Sequence, residues 1–135
     1  MIYINSKKVL TEKNSIIEIT DEVLTEIKTS GIKNGHVIVE SSESTTGIIS
    51  TKIKAKELLE DLVYEIKNLV PSRITFKQQI SPDETAGEIK NALFGHSVIA
   101  IIKEGKLIAG DNLGFYFMEY DGPTSRTYFI EVQGE

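Results

Sequence analysis

Helical and extended spacings occupy separate stretches of this chain, and that separation limits its fold more than any other feature. Beyond residue 96 no run has helical spacing. Ser97–Ile102 and Lys106–Ala109 are rich in β-branched and apolar residues and flank Lys103-Glu104-Gly105, which reads as a hairpin turn. Phe115–Glu119 follows, Asp121-Gly122-Pro123 supplies another turn, and Arg126–Val132 ends the series. The start is similar: Ile2, Ile4 and Val9 stand among polar residues, and Ser15–Ile19 is short and β-branched. His36–Ser41 reads as a buried strand and Gly47–Ser50 as another strand after a polar turn, while Arg73–Phe76 is a short strand or extended piece.

Three segments carry helical spacing. Thr20 offers a cap, Asp21 and Glu22 suit the positive end of a helix, Val23, Leu24 and Ile27 give it an apolar face, and Gly31 can stop it in a left-handed conformation. Ala55, Leu58, Leu59, Leu62, Val63, Ile66 and Leu69 sustain the longest amphipathic pattern, which Pro71 ends. Ser81-Pro82-Asp83-Glu84 is a helix start in which Ser81 can cap and Glu84 can close a capping box; Ala86, Ile89, Ala92 and Leu93 then face inward until Gly95. About seven or eight strands and three helices result, an α+β domain of mainly antiparallel sheets with the helices packed on one side.

The 135 residues suit one domain, with no linker, repeat or low-complexity segment. Cysteine is absent, which removes disulfides, thiolate metal sites and cysteine nucleophiles together. The net charge of -5 disfavours nucleic acid, because the small cluster of Lys52, Lys54 and Lys56 is followed at once by Glu57, Glu60 and Asp61. No apolar run approaches the roughly 20 residues that span a bilayer, and no signal peptide is visible, so a cytoplasmic protein without a membrane partner is expected.

Three polar stretches are candidates for chemistry. Glu43-Ser44-Thr45-Thr46-Gly47 can cradle an anion such as phosphate with its hydroxyls and N–H groups, or stand as a solvated turn. Ser81–Glu88 opens a helix; its carboxylates are either plain capping residues or, through Asp83 and Glu88, ligands for a hard cation such as magnesium. Gly110-Asp111-Asn112-Leu113-Gly114 reads as a turn that can also present a carboxylate. His36 and His96 share no ligand spacing and read as structural. No phosphate-binding glycine loop, paired metal-histidine motif or serine elbow is present.

In order and spacing these segments resemble the YjbQ-type (secondary thiamine-phosphate synthase) family. Its glycine and apolar strand, leading to His-Thr-Thr-Ala-Gly or a close variant, are matched by Gly35-His36-Val37-Ile38-Val39 and Glu43-Ser44-Thr45-Thr46-Gly47. Its Gly-Pro-Asp-Asp-Met-Pro-Ala-His-Ile-Lys, followed by Gly-X-Ser, is matched by Ser81–Lys90 and Gly95-His96-Ser97. Its Asp-Gly-Arg-Leu turn corresponds to Glu104-Gly105-Lys106-Leu107, and Glu119 and the closing Glu131-Val132-Gln133-Gly134-Glu135 also fit.

The departures fall on the residues with chemistry. Glu43 and Glu88 stand where the family has histidines, and a third family histidine falls near Lys77 or Gln78. Thr51-Lys52 replaces Asn-Glu, and Gly110-Asp111-Asn112-Leu113 replaces Gly-Thr-Trp-Gln. The resemblance implies a homotrimer and a weak thiamine-phosphate synthase activity that joins a pyrimidine diphosphate to a thiazole phosphate. Carried onto this chain, it would have Ser44, Thr45 and Gly47 hold a phosphate, with Glu43 and Glu88 as the catalytic positions. Glu43, Asp83 and Glu88 would hold magnesium or manganese to neutralise the leaving diphosphate. The alternative is a scaffold or binding protein that keeps the fold and the oligomer without catalysis, because a histidine shuttles protons near neutral pH far more readily than a carboxylate does.

Overall fold

Alternation of buried and exposed side chains sorts the extended segments into two antiparallel sheets. The computed structural model describes residues 1–135. In chain order the elements are β1 (Ile2–Leu10), β2 (Ser15–Glu18), α1 (Thr20–Ser30), β3 (Gly35–Ser41), β4 (Thr46–Lys52), α2 (Lys56–Leu69), α3 (Pro82–Phe94), β5 (Ser97–Lys103), β6 (Lys106–Leu107), β7 (Leu113–Glu119) and β8 (Ser125–Gly134). A turn of 3-10 helix occupies Gly110–Asn112. The large sheet has the order β1-β8-β3-β5-β6 and the small one β2-β7-β4. Every pairing is antiparallel, so the α+β class with three helices is the one the spacing predicts.

The core lies where the two sheets and α1 meet. Val37, Val39, Ile130 and Val132 of the large sheet face Ile48, Phe115 and Phe117 of the small one, with Val23 and Ile27 of α1 closing one end. Phe117 and Tyr128 pack with ring centroids 5.8 Å apart. Each such burial contributes about 1.5–3 kcal/mol of hydrophobic stabilisation before entropy is counted. α2 and α3 serve the small sheet: Val63, Ile66 and Lys90 gather around Met118 and Tyr120.

Local signals hold at several ends. Gly31 stops α1 with φ 72°, Pro82 takes the first position of α3, and Glu104 and Gly105 both adopt positive φ in the β5–β6 turn. The expected side-chain caps do not form. Thr20 lies inside α1 and its hydroxyl accepts the Phe115 N–H at 3.0 Å instead, while Ser81 makes no side-chain cap bond. Arg73–Phe76 is not a strand; a turn at Ile74 and Thr75 interrupts it. In β1, Ile2 and Ile4 point outward, because the even positions face away from the core and Val9 belongs to the opposite row. The inner row instead places Tyr3, Asn5 and Lys7 on Glu26 of α1, at 2.6, 2.9 and 2.8 Å, so that this buried carboxylate is fully engaged. α3 is rotated from the expected face. Thr85, Ala86, Gly87 and Lys90 are buried, whereas Ala92 and Leu93 are exposed, because the helix must bring a residue without a side chain, Gly87, against Thr45 and the Tyr120 carbonyl. No side chain of α2 is fully buried, so its apolar face is broader than the surface it meets.

Candidate functional site

The polar turn between β3 and β4 is tied to the last strand through Arg126. β8 enters the large sheet beside this turn, and Arg126, second in the strand, has a side chain only 12% exposed. Its Nε and Nη2 donate to the two Glu119 oxygens, each at 2.9 Å. Nη1 donates to Glu43 Oε2 at 2.8 Å, and Nη2 also donates to the Thr45 hydroxyl at 2.9 Å. The Thr127 N–H donates to the other Glu43 oxygen at 3.2 Å. Glu119, wholly buried at the end of β7, further accepts from the Thr11 hydroxyl and the Asp121 N–H. One guanidinium thus serves two carboxylates, and the planar fork of arginine matches that bidentate geometry. Hydrogen bonding to Glu119 raises Arg126 above its already high ordinary pKa; burial opposes this, and Glu43 adds to the rise.

The expected cation cage does not form within the chain. Glu43 is occupied by Arg126. Asp83 is held by the Lys13 ammonium at 2.6 Å and by the Ser72 hydroxyl, which together keep its carboxyl below the usual range. Glu88 accepts from Gln78 Nε2 at 2.7 Å, so Gln78, near the position of the third family histidine, bonds one of the glutamates. No three Asp, Glu or His side chains come together as a metal-binding group. The physical reason is competition: Arg126 holds Glu43, Lys13 and Ser72 hold Asp83, and Gln78 donates to Glu88.

The expected phosphate turn is likewise spent on packing. Thr45 is buried and bound to Arg126, and its carbonyl accepts the Tyr120 N–H at 2.9 Å. The Thr46 hydroxyl donates back to the Glu43 carbonyl at 3.0 Å. A Cβ on Gly47 would lie 2.9 Å from the Gly95 carbonyl oxygen and 3.2 Å from the Tyr120 ring, so glycine here permits close packing and does not open a cradle. Ser44 alone remains exposed, with its carbonyl accepting from Asn91 at 3.2 Å. Asp111 is exposed and borders a separate cavity of about 970 Å³ beside α1, which shares no residue with the Arg126 network. His36 is half-buried on β3 and His96 is exposed.

Sequence reasoning missed Arg126, whose partners lie 7 and 83 residues away and follow no local pattern. It also missed Lys90. The signal available for Lys90 was its place on α3 one turn after Ala86, which the inward face of the helix also includes.

Two antiparallel sheets, with α1 closing their shared core and an arginine-locked turn at one end, define a single α+β class of domain. The chain belongs to the UPF0047 protein YjbQ-like family, whose model matches residues 5–135. It is 28% identical to the UPF0047 protein YugU of Bacillus subtilis over 124 residues, covering 92% of this chain and 93% of that one. A UPF0047 protein of Methanocaldococcus jannaschii is 26% identical over 124 residues, 92% of this chain and 88% of the relative. Among solved structures, a YbjQ-like protein of unknown function from Sulfolobus solfataricus superposes with a TM-score of 0.93 at 27% identity, covering 100% of this chain and 99% of that one. A YjbQ/UPF0047 family protein of Clostridium acetobutylicum gives 0.88 at 27% identity, covering 96% and 99%. No helix is long and apolar enough to cross a membrane.

Proposed function

We propose that this chain is a non-catalytic, homo-oligomeric binding protein built on the YjbQ-like fold. The observation that carries this reading is the engagement of Glu43. Both of its oxygens accept hydrogen bonds, one of them from the Arg126 guanidinium that it shares with Glu119, so a proton or a metal ion would compete with Arg126 for it. Asp83 is likewise held by a cation, Lys13, and Glu88 by a hydrogen bond from Gln78.

Self-association is supported by the outer face of the large sheet. Ile99 and Ile101 on β5 are 65% and 54% exposed, Ile38 lies beside Ile99 in the pairing register, and Phe129 of the neighbouring β8 is 39% exposed. Glu40 and Glu131 share this face, and exposed apolar side chains gathered on one sheet face favour an interface. A trimer is the assembly that the family resemblance implies. Sedimentation equilibrium should give a mass about threefold that of the 15.0 kDa chain, and Ile101→Lys should reduce it to one. A monomeric wild-type protein at tens of micromolar would overturn the assembly.

A second reading, residual thiamine-phosphate synthase-like transfer, draws on the Glu43 side chain keeping 34% of its surface exposed. In that reading magnesium or manganese would compete with Arg126 for the carboxylate. Incubation with either ion, the pyrimidine diphosphate and the thiazole phosphate decides between the two. No thiamine phosphate is expected; product that disappears in Glu43→Ala would refute the non-catalytic reading.

A further inference from the structure

β2 is an edge strand of the small sheet, pairing only with β7, and a groove of about 740 Å³ runs between it and α2. The Ile19 N–H donates to the Phe115 carbonyl at 2.9 Å, and Ile17 stands opposite Phe117 in the same register. In an antiparallel ladder the main-chain groups of alternate residues point to opposite edges. Those of Ser15 and Ile17 therefore turn toward β7, and those of Ile16 and Glu18 turn away from it. No loop, turn or helix supplies a main-chain partner for Ile16 or Glu18. Their donors and acceptors form a short unpaired edge, which is what an added strand requires.

The walls of the groove are apolar where such a strand would lie. Ile16 of β2 and Leu59, Val63 and Tyr64 of α2 line it. Leu59 and Val63 stand about one helical turn apart and are only partly buried, and Tyr64 is 65% exposed. No side chain of α2 is fully buried, so the helix offers more apolar surface than β2 covers. Lys54, Lys56 and Lys67 also border the groove, against Glu18 and Glu60, and none of these five is in an ion pair. The groove thus carries an excess of positive charge on a chain whose net charge is -5, and that excess favours an acidic occupant.

We infer that this groove takes an extended, acidic segment of another protein, added beside β2 as a fourth strand of the small sheet. The main chain of the segment pairs with Ile16 and Glu18, its alternate apolar side chains pack on Leu59 and Val63, and its acidic side chains meet the three lysines. An extended segment fits better than a docked helix, because a helix satisfies its own main-chain groups and leaves the edge of β2 unpaired. The edge is short and supplies only a few hydrogen bonds, each with a modest net gain, so the expected affinity is weak. The inference goes beyond the oligomeric binding reading and holds whether or not subunits assemble, since every residue in it comes from one chain and none lies on the outer face of the large sheet.

The test is fluorescence anisotropy of a labelled heptapeptide, Asp-Val-Glu-Val-Glu-Val-Asp, titrated with the full-length protein. It should bind with a Kd of about 10–100 μM, and a peptide with lysine in place of every acid should bind at least about tenfold more weakly. Successive N–H groups of a strand point to opposite edges, so N-methylating the valines and N-methylating the glutamates block different edges of the peptide. One pattern should abolish binding and the other should leave it within about threefold. Val63→Glu should weaken binding by about tenfold or more while far-UV circular dichroism stays as in wild type. If Val63→Glu fails to fold, the two methylated peptides carry the test on the unaltered protein. Ile101→Lys should bind the peptide as wild type does, so loss of the assembly and loss of the groove are read separately. No binding at about 1 mM protein would overturn the inference, as would equal binding of the two methylated peptides or binding that Val63→Glu leaves unchanged. So would pairing of Ile101→Lys protomers that Val63→Glu removes, since the groove would then belong to a second copy of the chain.

Discussion

Removing Arg126 should be among the most damaging single changes this chain can suffer. Arg126→Met keeps a long apolar stem but deletes the cation. The Glu119 carboxylate, whose side chain has no exposed surface, would then keep only the Thr11 hydroxyl and the Asp121 N–H. Glu43 is partly exposed and can rehydrate, so the loss concentrates on Glu119. Deleting one member of a buried pair costs about 3–5 kcal/mol, against a total domain stability of about 5–15 kcal/mol. Adding Glu119→Gln should recover most of that, because a neutral amide leaves no stranded charge. Urea unfolding followed by far-UV circular dichroism, at one fixed protomer concentration so that assembly does not shift the midpoint, reads the difference directly. A cost under about 1 kcal/mol, or a double variant no more stable than the single one, would show that the network is not what holds the β3–β4 turn to β8.

Three further outcomes are expected. Glu26 and Asp83 have carboxyl pKa values below their ordinary ones, Glu26 chiefly through Lys7 and then Tyr3, Asp83 chiefly through Lys13. The stability they add is present above the ordinary carboxylate range of about pH 4 and is lost as pH falls through the depressed values; Glu26→Gln should flatten that acid limb in thermal melts from about pH 7 to 3. At the alkaline end, burial pushes Tyr120 up to about 12, so stability should fall as pH rises from about 10, where an unfolded tyrosine ionises, toward 12; Tyr120→Phe should lessen the slope. Gly47→Ala forces a Cβ to 2.9 Å from the Gly95 carbonyl oxygen and should cost about 1–3 kcal/mol in denaturant unfolding, and a neutral result would mean that α3 yields easily.

Features with a local steric cause were legible in the residues themselves. Gly31 and the Glu104-Gly105 turn need only their own backbone freedom, Pro82 brings its own φ, and the period of Leu59, Leu62, Val63 and Ile66 makes a helix wherever it is placed. The order of motifs was also enough to place the chain in its family. The tertiary structure decided which groups are already taken. Glu43 meets an arginine 83 residues away, and Asp83 meets a lysine 70 residues away. A carboxylate in a sequence looks the same whether it faces a ligand or a guanidinium. Only the packing of β7, β8 and the β3–β4 turn brings the competing donor within 3 Å, and that contact, not residue type, governs what Glu43 is free to do.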